Sequence, residues 1–143
     1  MCKNLDKFPV ILRDKLKVKD IRFPEGTLFD YDPILAYRMV IRKDGDNTSF
    51  SKEDMRSRAE KGITRIPGKI VDQKDPKHYG VSLFKTIDKV NQTFELPKPN
   101  KKVAQGHIYK EGGPQLTEEL HVCWWLYEDV DLSGFEIMEK NNE

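Results

Sequence analysis

Leu120-His121-Val122-Cys123-Trp124-Trp125-Leu126-Tyr127 is an almost unbroken run of bulky side chains. In an extended strand successive side chains point to opposite faces. Val122, Trp124 and Leu126 then share one face, and His121, Cys123, Trp125 and Tyr127 the other. Both sets are large, which predicts a central strand covered on both sides. On that strand His121 and Cys123 read as a half-buried imidazole beside a small core thiol.

The flanking sequence supplies partners for this strand. Upstream, Val103 to Tyr109 reads as a strand and Gly112-Gly113-Pro114 as a turn. Downstream, a turn at Asp131 to Gly134 leads to a last short strand, Phe135 to Met138. Gly80 to Phe84 is a short strand. Thr86 to Phe94 is a short helix with Ile87, Val90 and Phe94 on one face, broken by Pro97 and Pro99. Leu35, Tyr37, Met39 and Ile41 alternate with Ala36, Arg38, Val40 and Arg42, which predicts a strand with one apolar face and one carrying two arginines.

Ser51-Lys52-Glu53-Asp54 reads as a helix start, with a capping hydroxyl and acids in the first turn. That helix is expected to stop at Gly62, with Met55 and Ala59 as its apolar contacts. From Val10 to Phe23 charged and apolar residues alternate, which predicts an exposed or edge strand ending at Pro24-Glu25-Gly26. Residues 63–79 read as a long surface connection with a short extended piece near Ile70 and Val71. The expected fold is α+β: a single domain over 9–139, predominantly antiparallel strands with two short helices on the edges. Residues 1–8 and 140–143 are expected to be flexible tails.

Lys plus Arg number 25 and Asp plus Glu 24, so no global field draws the 143-residue chain to nucleic acid or a membrane surface. No segment approaches the ~20 apolar residues of a membrane-spanning helix. Cys2 and Cys123 are too few and too dissimilar for a disulfide framework, and a cytoplasmic location follows as an expectation. His78, His107 and His121 lack the tight spacing of a zinc site, so no metal is expected. Neither G-x-x-x-x-G-K nor G-x-G-x-x-G occurs, and G-x-S-x-G is missing around Ser82.

Two functional classes follow. The first is a small binding or partner-recognition domain without catalysis and without a cofactor, its partner an unknown protein. Arg38, Arg42, Trp125 and Tyr127 are the residue types that anchor interfaces, although Trp125 and Tyr127 read first as core. The second comes from the order of elements: Tyr37-Arg38 on an early strand, Tyr79-Gly80-Val81-Ser82 on a middle strand, a short helix, a strand, then acids near Trp124. That order resembles the ADP-ribosyltransferase-like enzymes. The resemblance implies a split sheet and NAD as cofactor. It makes Arg38 the residue that grips the dinucleotide and Ser82 the hydroxyl supporting the pocket. Glu118 or Glu119 becomes the catalytic acid that steadies the ribosyl cation. The chain departs from the family in its middle strand, which carries Ser82 alone, and in its acids, which are adjacent rather than spaced by one residue.

Overall fold

Ten regular elements build the computed structural model, which describes residues 4–138. In chain order they are α1 (Val10–Lys17), β1 (Ile34–Ile41), β2 (Arg65–Ile66), β3 (Lys69–Ile70), β4 (Val81–Phe84), α2 (Ile87–Phe94), β5 (Lys101–Ile108), β6 (Gln115–Glu118), β7 (His121–Trp124) and β8 (Glu136–Ile137). Six strands form one antiparallel sheet in the order β6-β7-β4-β1-β5-β8. β2 and β3 form a separate hairpin. Its Pro67-Gly68 turn puts Gly68 at φ +85°, where a residue with a side chain is strained. The architecture is α+β, as the sequence predicts.

The aromatic run keeps its two faces, although the regular strand is only His121–Trp124; Trp125 and Tyr127 follow it with N–H bonds to the Pro114 and Gly112 carbonyls. β7 lies inside the sheet, between β6 and β4. Cross-strand partners share a face, so Tyr37, Phe84 and His121 stand on one side. Both helices pack on that side. α1 sets Leu12 and Leu16, with Phe8, against Cys123, Trp125 and Tyr127. α2 sets Val90 against Phe84 and Val103. On the far side Val122, Trp124 and Leu126 join Val81 and Leu83 beneath Met55 and Phe135. Each buried indole keeps its N–H satisfied: Trp124 Nε1 donates to the Gly113 carbonyl at 3.0 Å and Trp125 Nε1 to that of Pro76 at 2.9 Å.

Several expectations are corrected. Val10 to Phe23 is not a strand; its first half is α1. Phe8, Leu12 and Leu16 recur every four residues and all reach the core, whereas Val10, Ile11 and Val18, which created the apparent alternation, stay exposed. Phe8 is therefore core rather than tail. On β1 the two faces are inverted: Ala36, Val40 and Arg42 are buried, and Leu35 and Ile41 are exposed. α2 covers only the middle of the strand, at Tyr37 and Met39.

Ser51 does cap a helical start, and Asp54 completes a capping box. The helix is a single 3-10 turn, Lys52–Met55, because Arg56 returns to extended backbone. Within 63–79 the extended piece pairs as β3 of the hairpin rather than lying alone. Residues 1–3 and 140–143 of the expected tails, with 139, lie outside the described residues.

Trp124 is fully buried. Truncation to alanine is expected to remove about 3–5 kcal/mol of stability, the usual scale for emptying a large aromatic site. Urea melts read this directly, and a loss under about 1 kcal/mol would show that the ring lies outside the core.

Candidate functional site

β1 and β4 share one registered pair, Tyr37 with Phe84. By contrast β4 pairs β7, and β1 pairs β5, along their whole lengths. Past the single pair, the Arg38 guanidinium spans the gap. Its Nε donates to the Asp54 carbonyl and its Nη1 to the Ser82 carbonyl, both at 2.7 Å. Burial lowers the guanidinium from 12.5 to about 10, so it remains charged at neutral pH. A cleft of about 680 Å3 occupies this parting, a size that suits a small molecule.

One wall of the cleft is held by a buried ion pair. Arg42 grips Asp54 in both directions, Nη1 to Oδ1 at 2.9 Å and Nη2 to Oδ2 at 2.8 Å. It also donates to the Thr48 and Ser49 carbonyls. Asp54 Oδ2 accepts the Ser51 N–H as well. These bonds tie residues 48–55 to the sheet and set Arg56, Ser57 and Arg58 along the cleft.

Positive charge is in excess there: Arg38, Arg56, Arg58, Lys61 and Lys77 line it with Glu53, Asp54 and Asp75. Arg56 is shared between Glu53 and Glu60, and Lys77 is bonded to Glu118 at 2.5 Å. Arg58 and Lys61 take part in none of the ion pairs among the described residues. Burial, then the charges of Arg38 and Arg58, lower the proton affinity of Lys61. Burial and Arg58 act likewise on His78, an almost fully buried residue of the same cleft.

The opposite wall carries a hydroxyl–imidazole contact. Register places Ser82 against Cys123 and Phe84 against His121, so Ser82 and His121 are diagonal neighbours on one face. Ser82 Oγ lies 2.5 Å from His121 Nε2. Burial and then the Lys77 charge hold His121 below its ordinary 6.5, which leaves the ring neutral at pH 7. Cys123 is no rival nucleophile, since burial pushes its thiol up to about 12.

Arg38 and Ser82 thus meet in one cleft. Glu118 pairs with His121 across the β6–β7 turn and is bonded to Lys77 of the cleft wall. That bond holds its carboxyl below the usual range. Neither Glu118 nor Glu119 lines the cleft, and Glu119 is a turn residue with φ 57°. Trp125, Tyr127 and Arg42 are buried and offer no interface. Arg58, Lys61, Lys77, His78 and His121 escaped the sequence reading as a site. They come from separate segments, and Ser82 and His121 stand 39 positions apart.

Among the described residues no group of three or more His, Cys, Asp or Glu is placed to hold a metal, and no helix is long and apolar enough to cross a membrane. Comparison with protein-family models, curated proteins and solved structures returns no match. The fold and cleft therefore define the class alone: a small α+β domain with a cationic cleft in its sheet.

Asp54 makes the clamp sensitive to acid. Burial by itself raises its proton affinity; the bonds from Arg42 and Ser51 outweigh that and hold it below the ordinary 3.8. A depressed carboxyl contributes stability above its unfolded value and loses it as pH falls through the folded one. Asp54→Asn should lower stability at pH 7 by about 3 kcal/mol, because Arg42 is left buried without its partner. The variant should also show a shallower decline as the pH falls below the ordinary carboxylate range in urea melts.

Proposed function

We propose that this chain is a small binding domain whose cleft takes an anionic, phosphate-bearing small molecule. The observation that carries this reading is the cluster of Arg38, Arg58 and Lys61 around a concave site, the last two in none of the ion pairs among the described residues. Guanidinium and ammonium groups are the natural donors to phosphate oxygens. Phe84, Phe94 and Met39 give the same cleft an apolar side for the rest of such a ligand. A cytosolic, reducing setting suits the buried free thiol of Cys123.

A second reading keeps the same chemistry and adds a reaction. In an ADP-ribosyltransferase-like enzyme the pyrophosphate of NAD would lie on these cations, with Glu118 or Glu119 facing the ribose. The presence of Arg38 and Ser82 in one cleft supports it. Against it, Arg38 is engaged by two carbonyls and Glu118 is neutralised by Lys77. The binding reading uses Arg38 only as a nearby charge and needs no catalytic acid. A protein bearing a phosphorylated or acidic segment is a further occupant of the same charge.

Thermal shift with inorganic phosphate, ADP and NAD tests both readings. A ligand held at 100 times its dissociation constant adds about 2.7 kcal/mol. The paired substitution Arg58→Ala and Lys61→Ala should abolish the shift while leaving the unliganded melt nearly unchanged, since both side chains are exposed. No shift with any of the three, or one that survives the substitution, would overturn the binding reading. NAD cleavage lost in Glu118→Gln would favour the transferase instead.

A further inference from the structure

We infer that Ser82 is a nucleophile and His121 its general base, and that the cleft carries out transfer of an activated acyl group from an ester. The inference rests on the binding reading only for the cleft as the place where the electrophile sits. Three observations converge. Ser82 Oγ and His121 Nε2 are at 2.5 Å, within the reach required of a nucleophile and its base. Both side chains line the cleft, and Ser82 is exposed, so an electrophile reaches the hydroxyl without any rearrangement of the core. The imidazole is held in place by its edge-on contact with the Phe84 ring, centroids 5.5 Å apart.

The groups facing His121 fit that role. Ser82 lies across from it on β4, Glu118 on β6, and Lys77 arrives from the 3-10 turn Pro76–Tyr79. The Lys77 charge is felt at the ring and favours its neutral form, the form that accepts a proton. Glu118, bonded to Lys77, keeps it in position.

The step balances as follows. The Ser82 oxygen forms a bond to the acyl carbon while its proton passes to His121 Nε2. Collapse of the tetrahedral adduct breaks the bond to the alkoxy group, which takes the proton from His121 and departs as the alcohol. Water, deprotonated by His121, then attacks the acyl carbon. The acid is released, and the serine oxygen recovers its proton from the imidazolium. The sum is ester plus water to acid plus alcohol, with no further reactant.

An uncharged alkyl fluorophosphonate reports on this pair, because attack by the serine oxygen expels fluoride and leaves a stable phosphonyl adduct. The full chain should gain one adduct, mapped by peptide mass to Ser82. Its rate should rise with pH through a midpoint below the ordinary histidine value of 6.5. His121→Gln, which keeps a hydrogen-bonding side chain without a basic ring, should label on the order of 100-fold more slowly with no such midpoint. Hydrolysis of p-nitrophenyl acetate should fall in parallel in this variant and in Ser82→Ala.

An unlabelled wild-type chain, an adduct at another residue, or equal rates in His121→Gln would each overturn the inference. The wild-type mapping stands even if a variant misfolds. A chain that labels but is not stabilised by phosphate, ADP or NAD retires the binding reading alone. One that is stabilised but never labels retires this inference alone.

Discussion

Two tryptophans side by side in the sequence, one ending β7 and the other just beyond it on the opposite face, set the constraint that the other elements answer. Trp124 and Trp125 are both fully buried, so neither face of β7 can be left to water. One side is closed by helices and the other by loops carrying Met55 and Phe135. Each indole buries a large apolar area and asks for one acceptor. Those acceptors are the carbonyls of Gly113 and Pro76, in the two segments that precede β6 and β4. The demand for area and the demand for hydrogen bonds thus fix the same neighbours.

The polar half of the molecule follows a different logic. Arg38 and Arg42 project from the face of β1 that is buried, and each is satisfied largely by backbone carbonyls. Asp54 supplies the one carboxylate. The result is a loop held to a sheet by charge-assisted bonds where apolar packing would otherwise be expected. That substitution leaves polar groups and space together at the middle of the sheet, which is where the cleft lies.

What was legible in the sequence tracks how local its cause was. The two faces of Leu120 to Tyr127 were readable because strand parity depends only on neighbours, and the Thr86 cap and Pro97 stop bracket α2 in the same way. The faces of β1 were not readable. Arg42 is buried because Asp54, twelve positions away, neutralises it. α1 was misread because exposed Val10, Ile11 and Val18 drowned the spacing of Phe8, Leu12 and Leu16. The candidate site was the least legible. Arg38 and Ser82 were named, but only the register of β4 on β7 brings His121 to Ser82, and only the 48–55 clamp brings Arg58 to the wall.

The lone registered pair between β1 and β4 also has a mechanical meaning. On the helix side the cluster under α2 crosses this seam, joining Phe84 of β4 to Tyr37 and Met39 of β1 and Val103 of β5. On the far side one cluster runs across the seam, joining Ala36 and Ile108 to Leu83 and Trp124. The seam is thus closed by apolar packing on both faces, and the two bonds from Arg38 add a polar clasp to it. A molecule that breaks that clasp must itself answer the carbonyls of Asp54 and Ser82, which would otherwise lose their donor.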